Sequence, residues 1–218
     1  MLLGHLFFVP AVFLVGMLSG LEVARRRSSP GEPKAPGRTG PVALMSSLGL
    51  FVLVLVVTHF APIPGGLQDL RARLDRQQIF DQRPSFSPVE THRRIGDFGE
   101  AGREAYRRFT YTTDLAFPLG LLLFLRTLAG FVAERAARGR VTHRVLRLGP
   151  WLWFTSDLVE NGIVHFLLSA YPERHEGLAT GLALVSVVKF ALLLLAFALP
   201  TAVYLGANRT ASLVTRAA

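Results

Sequence analysis

The chain has 218 residues, half of them apolar, no cysteine, and a formal charge of +9 carried almost wholly by arginine, since Lys34 and Lys189 are the only lysines. That length is one domain, and apolar residues gathered in long blocks with arginines at the block ends describe a membrane protein rather than a nucleic-acid binder. Without cysteine there is no disulfide, no thiolate metal site and no Cys nucleophile.

The first block runs from about Leu2 to Ala24. No basic region precedes it, and Arg25-Arg26-Arg27 follows it, so it reads as a retained span rather than a cleaved signal. Gly16 and Gly20 have the spacing of a close-packing face. Residues 28–40, rich in Pro and Gly, form a basic loop. The second span runs from about 42 to 61 and stops at Pro62-Ile63-Pro64-Gly65-Gly66.

Residues 62–108 are the one sizeable polar segment, with nine arginines against seven acids. Leu67, Leu70 and Leu74 predict a short amphipathic helix, and 80–88 reads as loop. Thr91 to Phe109 predicts a second helix, with Ile95, Phe98, Tyr106 and Phe109 toward the bilayer surface, weakened by Gly96, Gly99 and Gly102.

The third span covers about 110–133 and carries Asp114 and Arg126. Pro118 removes the hydrogen bond to the carbonyl of Asp114, so a kink is expected there. A basic loop is expected from Glu134 to Gly149. The fourth span, about 148–171, is the most polar: Asp157, Asn161 and His165 stack on one helix face, with Glu160 beside them. Trp151, Trp153 and Tyr171 read as interfacial anchors. After a short turn, the fifth span covers about 178–205 with Lys189 at its middle.

The expected fold is therefore all-α, a single membrane domain built as a polytopic bundle of five spans, four in the core plus the N-terminal one. Arginine-rich loops place the N-terminus outside, the C-terminus in the cytoplasm and 62–108 outside the cytoplasm. On that topology Asn208-Arg209-Thr210, a glycosylation sequon by pattern, lies on the wrong side to be used.

Ionisable residues at membrane depth default to a functional reading, although opposite charges that only fix helix register are the competing explanation. Counting from the turn between the fourth and fifth spans puts Glu160 and Lys189 at the same depth, roughly 16 Å in at 1.5 Å per residue. Counting from the preceding loop pairs Arg126 with Asp157. Asp114 is expected to meet Arg103, Arg107 or Arg108. The candidate acid–base residues are Asp157, Glu160 and Asp114; the candidate binding residues are Asn161, Lys189, Arg126, His165, Arg103 and Tyr106. No metal site is expected, although His5, His59, His165 and Asp114 fall in the same outer half. No cofactor is indicated. There is no phosphate-cradling Gly-rich loop, no His-Glu-x-x-His and no Gly-x-Ser-x-Gly.

Four short motifs, Gly99-x-x-Gly102-Arg103-x-x-Tyr106, Asp114-x-x-Phe117-Pro118, Asp157-x-x-Glu160-Asn161 and Lys189-Phe190, occur in this order. The order resembles a family of small, uncharacterised bacterial membrane proteins of about four core spans. Gly120 departs from the aromatic residue expected after the Pro. The resemblance implies a bacterial polytopic protein of the inner membrane and singles out the same polar residues; it carries no function.

Three functional classes remain. The leading one is an enzyme or binder of a lipid or isoprenoid, with Asp157 or Glu160 as acid or base. The others are a proton- or ion-coupled transporter and a structural or assembly subunit. The expected partners are the lipid bilayer and a lipophilic ligand, with no nucleic acid and no protein partner indicated.

Overall fold

The computed structural model describes residues 39–136 and 139–217. The first span, its glycine pair and His5 lie outside the described residues. Among the described residues the secondary structure is entirely helical, and seven α-helices can be numbered in chain order. They are α1 (Pro41–Leu55), α2 (Leu67–Arg73), α3 (Pro88–Asp97), α4 (Gly99–Tyr111), α5 (Thr113–Ala136), α6 (Arg140–Ala170) and α7 (Glu176–Ala217). A π-turn, Val56–Phe60, ends α1.

Three helical stretches are long and apolar enough to cross a membrane: Pro41–Phe60, Gly99–Ala136 and Glu176–Ala207. At 31 residues α6 is long enough, but it is more polar than these three. α1, α5, α6 and α7 alternate in direction. The start of α1 is tied to the end of α5, where the Thr39 backbone N–H donates to Glu134 at 2.6 Å and Arg135 donates to the Thr39 carbonyl at 3.0 Å.

The expected basic loop from 134 to 149 is not formed. α5 continues to Ala136 and α6 begins at Arg140, so three residues separate them. The arginines that suggested a loop, Arg140, Arg144 and Arg147, recur at helical spacing and lie exposed on the first two turns of α6. Pro150, expected near the start of the fourth span, is inside α6, and Pro200 is inside α7, which runs on to Ala217.

Residues 67–111 fold into a cap. The single helix expected over 91–109 is two helices, broken at Gly99, which takes the left-handed conformation (φ +65°) that only glycine adopts without strain. Ser87 caps α3, accepting from the Glu90 N–H. The apolar residues expected to face the bilayer instead face inward. Ile95, Phe98, Tyr106 and Phe109 join Leu67, Leu70, Leu74, Ile79 and Phe80 in one core, packed against Val164, Leu167, Leu168, Ala179 and Leu182 of α6 and α7. Fully burying a Leu, Ile or Phe contributes about 1.5–3 kcal/mol, so a partner protein surface is a strong competitor to the bilayer interface.

That packing also redirects two expected anchors. Tyr171 holds the cap, with its ring 5.2 Å from that of His92 and the Arg103 guanidinium 4.3 Å above it. Trp153 is buried between helices, among Leu121, Leu125 and Ala196.

Candidate functional site

The buried residues of α6 recur every three or four positions, with two adjacent pairs among them: Leu146, Pro150, Trp153, Asp157, Glu160 with Asn161, Val164, and Leu167 with Leu168. This is one continuous stripe, apolar at both ends and polar in the middle. α7 answers with the same spacing in Ala179, Leu182, Ser186, Lys189 and Ala196. Where the stripes meet, Lys189 contacts Glu160, and the Ser186 hydroxyl donates to the other oxygen of Glu160. Lys189 Nζ also lies 3.5 Å from Asp157 Oδ1.

A third carboxylate comes from the cap. Asp81, in the loop between α2 and α3, accepts a hydrogen bond from Lys189 Nζ at 2.5 Å. The cap builds this position from two sides. The buried Tyr106 hydroxyl accepts the backbone N–H of Phe80 at 3.0 Å, fixing the residue next to Asp81. Arg94 donates to the carbonyls of Gln78 and Arg83 at 2.8 and 2.7 Å and lies over the Phe80 ring, so it clamps the loop on both flanks of Asp81. Burial draws the Arg94 guanidinium below its ordinary pKa.

The fourth carboxylate, Asp114, is buried on the first turn of α5, within electrostatic reach of Asp81, Asp157 and Lys189. It makes no ion pair among the described residues, and its Oδ2 has no hydrogen-bond partner there. Asn161 donates to Asp157 Oδ2 at 3.5 Å. Accessibility is graded across the centre: Glu160 is fully buried, Asp157 keeps 9 % of its side-chain surface and Asp81 keeps 22 %. Asp81 is thus the most accessible of the three carboxylates that pair with Lys189.

The structure therefore brings together Asp157, Glu160, Asn161 and Lys189, with Asp114 close by. The other expected contacts are replaced. Arg126 does not pair with Asp157; its guanidinium lies 4.9 Å from the centre of the Trp151 ring. The reason is register. With a three-residue junction, Arg126 stands ten residues before the end of α5 and Trp151 eleven after the start of α6, so these two share a depth.

Arg103 covers Tyr171, and Arg107 and Arg108 both pair with Glu104, so none of the three reaches Asp114. Tyr106 acts in the cap core rather than in the cluster. His165 packs on the Tyr111 ring at 4.4 Å, and His59 hydrogen-bonds Thr58 and packs on Phe117 at 4.8 Å. Both histidines are engaged by neighbouring rings and hydroxyls, although His165 Nδ1 has no hydrogen-bond partner among the described residues. Among the described residues, the acids near enough to share a metal ion are Asp81, Asp157 and Glu160. Lys189 Nζ lies against all three, so its ammonium stands where such an ion would.

Asp81 and Ser186 are the two residues of the centre that the sequence analysis does not single out. Ser186 is one helical turn before Lys189, and the spacing that groups α6 would have found it. Asp81 sits in an aperiodic loop and offers no such signal.

A scan against protein-family models finds no match, and no curated protein or solved structure matches the chain.

Proposed function

We propose that the chain is a bacterial inner-membrane protein that crosses the bilayer five times, with α6 as one of the spans, and that it couples proton binding to the movement of a small solute. On this reading the cap lies outside the cytoplasm and the C-terminus inside. The observation that carries the proposal is the charge balance of the centre: three carboxyl groups, Asp81, Asp157 and Glu160, surround one ammonium, and a fourth, Asp114, is buried close by. Surplus negative charge in a low-dielectric interior is strongly unfavourable, and a carboxyl group there relieves it by taking a proton. Asp81, the most accessible member of the Lys189 group, links the cap to the centre and shares Lys189 with Asp157 and Glu160. Asn161, beside Asp157, lies on the way to Asp114. Buried carboxylates are the usual material of intramembrane proton relays.

Acid–base chemistry on an isoprenoid or other lipophile is the second reading. It is favoured by the apolar flanks of the cluster, Trp153 below and Val164 and Leu182 above.

Proteoliposomes on a solid-supported membrane separate the two. A pH jump on wild type is expected to give a transient charge displacement that vanishes in Asp157→Asn and Glu160→Gln. No displacement from a correctly inserted wild type would overturn the proton reading. A lipophile retained by wild type and lost from a still-folded Glu160→Gln would then carry the second.

A further inference from the structure

α1 does not end as an ordinary helix. Over Val56–Phe60 it widens into a π-turn, closed by the Ala61 N–H on the Val56 carbonyl at 2.9 Å. A π-turn lengthens the hydrogen-bonded ring by one residue and so changes the faces on which its side chains fall. Here it holds the fully buried Thr58 against the half-buried His59.

The hydrogen bonds of this pair fix the chemistry of the ring. The Thr58 hydroxyl donates to the Val54 carbonyl at 2.7 Å, and a hydroxyl has one hydrogen to give. Its oxygen therefore accepts in the second contact, 2.7 Å from His59 Nδ1. Nδ1 must carry the hydrogen there, which leaves Nε2 as the bare nitrogen of the neutral ring. Nε2 makes no hydrogen bond among the described residues.

A histidine held this way is a base with one free site, and the fold places it beside the buried centre. Gln68 of α2 donates to the His59 carbonyl at 2.8 Å. Almost one turn along α2, Arg71 donates to Gln82 at 2.7 Å, and Gln82 is the neighbour of Asp81. On its other side the His59 ring packs on Phe117 at 4.8 Å, about one turn after Asp114. His59 thus stands at the joint between the cap loop that carries Asp81 and the helix that carries Asp114. The charged groups within electrostatic reach of its ring are Asp81 and Arg71.

We propose that His59 is the proton-entry group of the centre: Nε2 takes a proton from water on the cap side, and the imidazolium passes it to Asp81, directly or across one water molecule. The Nε2–H bond breaks as an O–H bond forms on Asp81, and the ring returns to the tautomer that Thr58 selects. The inference rests on the proton reading and adds the residue through which the proton arrives.

The test is the pH-jump charge displacement of the full chain in proteoliposomes, with thermal melting to show that each variant is folded. His59→Asn keeps an amide N–H for Thr58 and deletes Nε2. It is expected to give a displacement of wild-type size about a hundredfold more slowly, the lower end of what a positioned proton-transfer group contributes. His59→Ala is expected to be as slow and to regain speed when free imidazole is added. Wild-type speed in a folded His59→Asn would overturn the entry group and leave the proton reading standing. Slowing that imidazole does not relieve would also overturn it, since the role of His59 would then be structural. No displacement from wild type would remove the proton reading and the entry group with it. Nitrogen NMR of histidine-labelled wild type, with His59→Asn to identify the signal, is expected to show the Nδ1–H tautomer; the Nε2–H tautomer would overturn the proposal. If His59→Asn melts early, Thr58→Val takes its place: loss of the oxygen that fixes the tautomer is expected to slow the displacement, and full speed would overturn the entry group.

Discussion

Lys189 is the residue on which the centre depends, because a single ammonium serves Asp81, Asp157 and Glu160. Lys189→Met leaves three carboxylates without a counter-charge. Breaking a buried pair from one side costs about 3–5 kcal/mol, so thermal melting in detergent should fall sharply. Adding Glu160→Gln removes one of the stranded charges and should restore part of that loss. A double variant no more stable than Lys189→Met alone would mean that the pair does not contribute as described. Tyr106→Phe is a smaller test: it strands the buried Phe80 N–H, and a loss of about 1–3 kcal/mol is expected from the same melts. The Glu160–Lys189 contact was legible from residue counts alone, since both helices are continuous and the turn between them is short. Asp81 was not, because tertiary packing of the cap, rather than a local pattern, delivers it to Lys189.

Among elements, the cap and the α5–α6 junction differ most from what periodicity suggests. A stretch rich in Arg and Gly resembles a loop when read by composition, yet Arg140, Arg144 and Arg147 fit the exposed face of a helix whose other face buries Leu146 and Pro150. The misplaced junction alone explains the wrong partner for Arg126. Arg126→Gln should therefore leave the cluster intact and cost no more than the ring contact, about 0.5–2 kcal/mol. A loss equal to that of Asp157→Asn in the pH-jump displacement would contradict the assignment. The amphipathic face of the cap was visible, but not the surface it covers: an apolar stripe does not distinguish lipid from protein. If Arg94 clamps the Asp81 loop, Arg94→Met should raise amide exchange at 78–83 far more than in α3, because two backbone carbonyls lose a charged donor. Exchange at 78–83 that rises no more than in α3 would show that the loop is held by other means.

For the whole molecule, helix lengths and apolar blocks indicated an all-helical membrane protein, and the described residues carry three helices of the necessary length and composition. The proposed topology sets the turn between α6 and α7 and the start of α6 on opposite sides of the bilayer. The absence of native cysteine makes this simple to check. Glu173→Cys should react with an impermeant maleimide added to whole cells, and Gly139→Cys only after lysis. Equal reactivity of both sites would rule the topology out. The central claim is that the surplus carboxyl groups of one buried centre hold exchangeable protons. Infrared spectroscopy of reconstituted wild type and Asp157→Asn, titrated through neutral pH, tests it most directly. A protonated-carboxyl band is expected in wild type that shifts in heavy water, disappears as the pH rises and is reduced in Asp157→Asn. A wild-type spectrum with only ionised carboxylates throughout that titration would contradict it.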